Sequence, residues 1–522
     1  MLKYPKLCVL FLLLLFQLVS VCAQENDRLN WVKQNKRELH SVLPNQGLGD
    51  MSAAFDDVIG NAKVVALGES GHAIREVALF RNRLLEYLVK VKGFRAIALE
   101  SGLFEGQIAN RYIHGLEKDI MKVLSTGFTH NMGLWKESRA LLEWMKEYNT
   151  QQFDPKAKIY FYGMDLPVFQ DTMFSRTSKM DSPLEQVLAF IAKADKVYYE
   201  KYGKILKRLA ALSCKTVDDV ADLVEKINGI RFIDPDYLDE ICTISYENLN
   251  FIQKKMLSFL LNHLINRMQI KRLIYMRQKN VGKEEYEYAL QMAKLCRYIV
   301  GNIEFRKKTT AYPNIEKIKH FLGKIYSEEQ INKLKINKIK FNNTPQEWKL
   351  YFEGRNGRER TMAENVDWIV SRHGKVLIYA HNGHICKEGY ISDNPLHDQS
   401  NGYSVGQYLA HKYGKQYITI GQTMDRFVDK NGNIVTEHLK MPIAQTKDFP
   451  NSIEYILNQA DSKLYVLDIR PKTISQYPKI AKWLNSKVLG RFVFSFMNVN
   501  HVNSFDAIVF IHDMQFGIPE KK

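Results

Sequence analysis

The sequence predicts an α/β fold: a mostly parallel sheet with helices on both faces and a large helical insertion. Short apolar runs such as Val64–Leu67 and Ala96–Leu99 alternate with segments of helical apolar spacing. The first of these helical segments lies between the two runs and is closed by Gly93. A strand, a helix and a second strand joined in this order make a βαβ crossover, which implies parallel strands.

The same alternation continues along the chain. We predict further helices over Leu29–Leu43, Leu103–His114, Leu134–Tyr148, Arg358–Arg372 and Ser404–Tyr413. We predict further strands over Lys158–Gly163, Lys375–Ala380, Gln416–Ile420, Leu464–Ile469 and Asp506–Ile511. Asp429–Asn433 carries a hairpin signal.

The middle of the chain has a different pattern. Residues 183–326 are rich in Lys and Leu, helical in period and poor in glycine, which indicates a helical insertion or cap over the site. A coiled-coil arm is the alternative, although no sustained heptad is visible. Residues 24–182 and 327–522 would then form the two halves of one α/β domain.

The first 23 residues have the composition of a secretory signal peptide. Lys3 and Lys6 precede a leucine-rich run, and small residues precede Gln24. We expect cleavage after Ala23; a lipid anchor on Cys22 is the alternative. No later segment reaches about 18 consecutive apolar residues, so we expect no integral membrane segment after cleavage. The sequence thus predicts a periplasmic or secreted protein.

Composition and charge narrow the class of partner. The 522 residues are 45% hydrophobic, as in an ordinary globular protein, and carry a formal net charge of +17. Acidic residues are interspersed with the basic ones, and no compact basic block alternates with aromatics. We therefore expect no nucleic-acid partner. The oligomeric state stays open.

The cysteines leave two interpretations open. Four remain after signal cleavage, and none has a CxxC spacing typical of a metal site. In an oxidising compartment Cys214 and Cys242 are the nearest candidates for a disulfide. Buried free thiols are the other interpretation, for these two and for Cys296 and Cys386.

Ionisable side chains recur where the predicted strands end. The carboxyl ends of parallel strands open at one edge of a sheet, where ligands bind. A histidine at a helix start, kept neutral by the helix dipole and held by a carboxylate, suits a general base that takes a proton from water. We expect His72 to have this position. The residues at this edge are Glu69, His72, Glu100, Asp165, His381 and His384.

The late histidine pair allows several chemistries. His381 and His384 follow a predicted strand, in a turn set by Asn382-Gly383. With a carboxylate such as Glu69 they could form a zinc site, or they could bind substrate oxygens and stabilise an oxyanion. No GxSxG serine-hydrolase elbow is present, and Cys386 is a possible nucleophile although such a thiol is more often structural.

A series of motifs resembles the erythromycin esterase family. In chain order they are GESGH (68–72), Glu76, Arg81, GFRAIALES with Glu100, NRYIHG, FYGMDL with Asp165, RERTMAENVDWI from Arg358, and YAHNGH with His381 and His384. They span roughly Leu29 to Ile511. The resemblance implies an α/β fold with a large helical part and an open cleft. It also implies a hydrolase that opens the lactone of erythromycin-type antibiotics through histidine-activated water, without a metal or other cofactor.

The resemblance also implies roles for individual residues. His72 would be the general base, oriented together with the water by Glu69 and Glu100. The ester would be bound and polarised by Arg81, His381 and His384, and further substrate contacts would come from Glu76, Asp165 and Arg358. Three departures from the family pattern are Gly71, where a threonine-like residue is usual, Ala73, where a glycine is usual, and Glu359, where an aspartate is usual.

The sequence therefore predicts a secreted hydrolase of carboxylic esters, acting on a small-molecule ester or a macrolide-like lactone, with a role in antibiotic resistance where the substrate is a macrolide. One alternative is a metal-dependent hydrolase that uses the same histidines. The other is a non-catalytic protein that binds haem or another hydrophobic ligand.

Overall fold

The strands form one large sheet and two small ones. The computed structural model describes residues 24–129, 132–166, 181–203, 205–206, 246–278, 280–308, 345–389, 402–438, 441–492, 495–517 and 519. The strands are β1 (Arg37–Glu38), β2 (Val64–Glu69), β3 (Ala96–Gly102), β4 (Tyr160–Asp165), β5 (Val376–His381), β6 (Tyr417–Phe427), β7 (Glu437–His438), β8 (Met441–Pro442), β9 (Leu464–Asp468), β10 (Val488–Phe492), β11 (Ser495–Val499) and β12 (Ala507–Met514).

Helices connect most of these strands. They are α1 (24–35), α2 (Gly49–Ile59), α3 (Arg75–Lys90), α4 (Leu103–Ile113), α5 (Ile120–Thr126), α6 (Lys136–Thr150), α7 (Asp181–Ala194), α8 (Tyr246–Ile270), α9 (Arg272–Met276), α10 (Lys283–Lys308), α11 (Pro345–His373), α12 (Asn382–Ile385), α13 (Val405–Tyr413), α14 (Ile453–Asn458), α15 (Pro471–Ile474), α16 (Pro478–Asn485) and α17 (His501–Ser504). Short single turns complete the described helical content.

The large sheet is mostly parallel, as predicted. Its eight strands have the order β1-β9-β12-β6-β2-β5-β3-β4, and the six from β12 to β4 run parallel. Strand β9 runs antiparallel to both β12 and β1. Strand β5 lies between β2 and β3, so a strand from the second half of the chain completes the first crossover.

Helices cover both faces because the buried strands are apolar on both sides. Val64 and Ala66 face one core, which also contains residues of α7, α8, α10 and α11. Val65 and Leu67, one position on, face a second core with residues of α2, α3 and α6. This alternation is the period-two pattern of a strand.

The described parts of the predicted insertion are helical. Helix α10 packs against α7, α8 and α11, and Tyr275 and Tyr286 are fully buried there. These helices share the core of the first sheet face, so the insertion packs on the α/β domain. The predicted domain boundaries themselves stay predictions.

Three features differ from the sequence expectations. The helix expected over Leu29–Leu43 ends at residue 35, and the chain then forms the edge strand β1. Strand β6 continues beyond Ile420 to Phe427 because it pairs with β12 over that length. His72 does not open a helix: α3 begins at Arg75.

The described residues include two of the four cysteines that follow the predicted leader, and none of the leader itself. Cys296 and Cys386 are buried free thiols. The Cys386 thiol donates to the carbonyls of Gly383 and Gly389, at 3.2 and 2.8 Å, which gives it a structural role in the turn. Cys214, Cys242 and residues 1–23 lie outside the described residues. None of the described helices combines the length and apolarity needed to cross a bilayer.

Candidate active site

Four neighbouring strands bring the predicted residues to one edge of the sheet. Glu69 ends β2, His381 ends β5 and Asp165 ends β4, while Glu100 lies near the end of β3. The register places Glu69 level with His381. A register shift between Leu99 and Gly102 in β3 sets the local direction of Glu100, as bulges near active sites do. The predicted meeting of early carboxylates and late histidines is confirmed.

His72 is held by a carboxylate in a tight turn. Its Nδ1 lies 2.5 Å from Oε1 of Glu69, and the hydroxyl of Tyr379 donates to the other oxygen of Glu69. The next residue, Ala73, has a φ of 61°, in the left-handed region that favours glycine. The backbone at this position is therefore strained for an alanine.

Gly68 provides the close approach that this turn requires. A Cβ on Gly68 would lie 2.0 Å from Oδ1 of Asn382, the residue after His381. The amide of Asn382 donates to the Gln422 carbonyl, and the Gln422 side chain donates to the Gly68 carbonyl. The turns that carry His72 and His381 are therefore joined through β6.

Glu100 serves the later histidines rather than His72. Its Oε2 lies 3.2 Å from Nδ1 of His381 and accepts the backbone N–H of the same residue at 3.1 Å. Its Oε1 lies 3.0 Å from Nε2 of His384, whose Nδ1 lies 2.9 Å from Oε2 of Glu359. Both nitrogens of His384 thus contact carboxylates, a geometry that favours the imidazolium form.

Arg358 anchors Glu100 from helix α11. Its Nη2 donates to Glu100 at 3.0 Å, and its Nε donates to both oxygens of Asp165 at 2.9 and 3.1 Å. Asp165 is fully buried. The structure therefore brings buried Asp165 and partly exposed Arg358 into the site as an ion pair beside Glu100. Their predicted substrate contact stays a prediction.

Two imidazole rings form the open face of the site. The centroids of His72 and His381 are 3.9 Å apart, and both side chains are about one-quarter exposed, at 26% and 22%. His384, at 8%, lies behind them. The pair that a ligand can reach is therefore His72 and His381.

Arg81 faces the site rather than solvent. It is 2% exposed, and its guanidinium lies 4.9 Å from the ring centre of Tyr379. Arg81, His72 and Glu69 line a cavity of about 20 Å³, with Glu137 on its wall. This volume holds one water molecule. Oε2 of Glu137 is buried and lacks a hydrogen bond among the described residues, so a water there would give it a donor.

Glu76 lies in a different position from the other predicted residues. It accepts the backbone N–H of Gln515 at 2.6 Å and a guanidinium N–H of Arg75 at 3.0 Å. Burial raises the pKa of its carboxyl, against these hydrogen bonds. These contacts tie the start of α3 to the segment after β12. Its predicted substrate contact stays untested.

The site separates its ionisable groups by environment. Burial alone would raise the pKa of Glu69 and Glu100. The electrostatic and hydrogen-bond interactions with His72 outweigh this effect at Glu69. Those with His384 and His381 outweigh it at Glu100, whose pKa falls well below its usual range. Both groups are therefore carboxylates at neutral pH.

The pKa values of the two later histidines, His381 and His384, are shifted in opposite directions. Burial lowers the pKa of His381, and the neighbouring His72 ring lowers it further, so its imidazole is neutral at neutral pH. For His384, burial is outweighed by Glu100 and Glu359, which raise the pKa to about 9. His384 is therefore a fixed cation, whereas His381 is an uncharged donor or acceptor.

Two groups of side chains have the composition of a metal site. They are Glu69, His72 and His381, and Glu100, His381 and His384, each with ligand atoms within 4.8 Å of one another. The second group fits poorly, because protonated His384 offers no lone pair. The first has the two histidines and one carboxylate of many catalytic zinc sites.

Sequence reasoning missed three contributors. Tyr379 lies two residues before His381 on β5 and thus on the same side of the strand, a period-two relation that points to it. Glu359 follows Arg358 and was noted only as a departure from the family. Glu137, from α6, carried no local signal at all.

Much of the chain matches the model of a known protein family. A family model described as erythromycin esterase matches residues 89–514, more than half of the chain. The chain belongs to the erythromycin esterase family. The matched region contains Glu100, Asp165, Arg358, His381 and His384 and begins after His72. Membership indicates a hydrolase of the esterase type acting on a small-molecule substrate.

Similar proteins agree with this membership. Erythromycin esterase type II of Escherichia coli is 24% identical over 400 residues, which cover 75% of this chain and 76% of the relative. Erythromycin esterase type I of Escherichia coli is 28% identical over 116 residues, which cover 21% of this chain and 25% of the relative.

Solved structures share the fold. A Bacillus cereus protein has a TM-score of 0.64 at 18% identity, covering 95% of this chain and 99% of the other. A mutant of erythromycin esterase EreC, in its open conformation, has a TM-score of 0.59 at 16% identity, covering 92% and 98%. At this identity the likeness establishes the α/β architecture of the family member.

The raised pKa of His384 makes the stability of this esterase family member depend on pH. An unfolded histidine titrates near 6.5. A folded value of about 9 stabilises the protein fully below pH 6.5, and this contribution is lost as pH rises through 9. We expect it to reach roughly 3 kcal/mol at most. Urea unfolding of wild type and His384→Gln from pH 6 to 10 measures the difference.

The exposed His411→Gln serves as the matched control and should keep the wild-type dependence. If the stability difference between wild type and His384→Gln is constant over this pH range, the ion pairs of His384 do not have the predicted effect.

Proposed function

We propose that this chain hydrolyses a carboxylic ester or macrolactone by water that His72 activates, without a metal. The observation that carries the proposal is the small cavity lined by His72, Glu69 and Arg81, with room for one water. A base, its carboxylate and a cation around one water supply what ester hydrolysis requires.

The first step is proton transfer from water to His72. Ionised Glu69 accepts from Nδ1 of His72, so the basic lone pair lies on Nε2. The Tyr379 hydroxyl holds the second oxygen of Glu69 and thereby fixes the direction of the pair. As Nε2 takes the proton, the Glu69 carboxylate stabilises the imidazolium that forms.

The second step is attack on the ester carbonyl. The water oxygen bonds to the carbonyl carbon, and the carbonyl π electrons move to oxygen. Buried Arg81 is the donor placed to stabilise this oxyanion, because neutral His381 gives its Nδ1–H to Glu100 and its Nε2 can only accept. Collapse breaks the carbon–oxygen ester bond, and the leaving alkoxide takes the proton from His72. The products are a carboxylic acid and an alcohol, joined in one chain where the substrate is a lactone.

His384 has a supporting role in this proposal. Both of its nitrogens contact carboxylates, so it holds Glu100 and does not bind the ester as first expected. Glu100 in turn orients His381 through the ring and the backbone N–H. The names of the relatives make a lactone of the erythromycin type the first substrate to test.

Substitutions in the chain from Tyr379 to His72 test the mechanism. We expect His72→Ala and Glu69→Gln to lower kcat by about 10²–10⁴-fold, the usual contribution of a positioned base. Tyr379→Phe should cost less, because it only loosens Glu69. The measurement is hydrolysis of erythromycin and of 4-nitrophenyl acetate, with products identified by the mass of one added water.

His411→Ala, on the exposed side of α13, is the matched control and should leave kcat unchanged. Full activity of His72→Ala on an accepted ester would end the proposal, provided circular dichroism shows the variant folded like wild type.

A metal-dependent hydrolase is the second candidate. The Glu69, His72 and His381 group favours it, because a carboxylate behind a histidine also occurs behind zinc ligands. Under our proposal, dialysis against a chelator leaves kcat unchanged, and elemental analysis finds less than one metal per active chain. Loss of activity that one equivalent of zinc restores would replace the metal-free mechanism.

We also propose that residues 1–23 direct export, with antibiotic resistance as the biological role where the substrate is a macrolide. The basis is the charged start, leucine-rich run and small residues before Gln24. After expression of the full chain in a Gram-negative host, mass spectrometry of the periplasmic protein should show Gln24 as the first residue. A lipid-modified Cys22 at the amino terminus would contradict simple cleavage.

A further inference from the structure

A second, larger groove lies at the opposite edge of the sheet from the active site. Its volume is about 1040 Å³, the size of a small-molecule site. It is lined by Arg95, just before β3, by Lys158 and Tyr160 at the start of β4, and by Arg372 at the end of α11. Helix α10 of the insertion supplies the facing wall, including Lys294. Arg95 comes just before β3 and Glu100 lies five residues further along the chain, so the two sites are roughly 16 Å apart.

The groove has an excess of positive charge. Seven of its lining residues are Lys or Arg, against two glutamates. The glutamates are shared among several cations: Glu287 lies 3.0 Å from Arg372, 3.7 Å from Arg272 and 4.0 Å from Lys283. The acidic groups are therefore already neutralised.

Four of the cations make no ion pair in the part of the chain that the structure describes: Arg95, Lys156, Lys158 and Lys294. The guanidinium of Arg95 donates only to the carbonyls of Val89 and Phe94 there. Like charges gathered in a concave surface repel one another and concentrate the potential. An anion bound in the groove would offset this repulsion between the cations.

A separate observation points to a ligand that accepts hydrogen bonds. Nε of Arg372 is buried and has no hydrogen-bond acceptor among the described residues. Beside it, burial and the charge of Arg372 lower the pKa of His373 to about 3, so this histidine is neutral. His373 accepts or donates at 2.8 Å with the hydroxyl of Tyr162 and stacks on Tyr160. The floor of the groove is thus rigid and aromatic below the cationic rim.

We propose that this groove binds a small oxyanion that carries two or more phosphate or carboxylate groups. Such a ligand would contact the insertion through Lys294 and the sheet through Arg95 and Lys158. It would also supply an acceptor to Arg372. Lys and Arg bind such groups through charge-assisted hydrogen bonds. The site is separate from the ester site and does not depend on the proposed reaction.

Calorimetric titration of the mature protein with inorganic triphosphate at low salt tests this proposal. We expect saturable binding that weakens as salt rises, because the contact is electrostatic. Lys158→Ala combined with Lys294→Ala should weaken triphosphate binding by at least about tenfold, because the two substitutions remove two charge-assisted hydrogen bonds. A parallel titration with citrate distinguishes phosphate from carboxylate ligands.

The matched control combines Lys430→Ala with Lys463→Ala. Both lysines are exposed, and they lie at the catalytic edge of the sheet, so the pair removes equal charge elsewhere. We expect triphosphate affinity within twofold of wild type for this control. Circular dichroism and thermal unfolding establish that both double variants are folded. No saturable binding of either anion to wild type, or equal weakening in both double variants, would overturn the proposal.

Discussion

The buried carboxylate of Glu100 is the interaction on which the site depends. It is 2% exposed, and a charge so far from water is unfavourable unless donors surround it. Arg358, His381 and His384 supply those donors, from residues more than 250 positions away in the sequence. The edge of the sheet is therefore assembled only when β3, β5 and α11 are all in place. Removing one partner of such a network typically costs about 3–5 kcal/mol.

The same network decides where a proton can go. His384 is already protonated, and burial keeps His381 neutral. Glu69 and Glu100 remain ionised because histidine charges stabilise them. The surroundings thus fix the protonation states of the two carboxylates, of His384 and of His381. Ionisable groups whose pKa values are shifted in opposite directions are typical of acid–base sites.

How much of this was predictable follows from what is local in the sequence. Strands β2, β4 and β5 each end in an ionisable residue after an apolar run, and β3 has Glu100 near its end. Parallel strands share one carboxyl edge, so the location of the site was predictable. The strand order was not, because nothing near Val64 or Ala96 indicates that β5 lies between them. The partner of each carboxylate was also hidden: Glu69 serves His72, and Glu100 serves His381 and His384. Strand β9 runs antiparallel and pairs through backbone groups that nearly every residue has, so no residue pattern indicates its direction.

Low sequence identity and a shared fold are compatible for a physical reason. The two cores of the sheet contain apolar side chains, and such cores tolerate extensive substitution when volume and pattern are kept. Neighbours at 16% and 18% identity can therefore keep TM-scores of 0.59 and 0.64. A buried ion network has no such tolerance, because each charge needs its own partner at hydrogen-bond distance. In this chain the few residues that cannot be exchanged freely lie at the strand ends. The apolar residues of the sheet can vary as long as their packing keeps those strand ends in register.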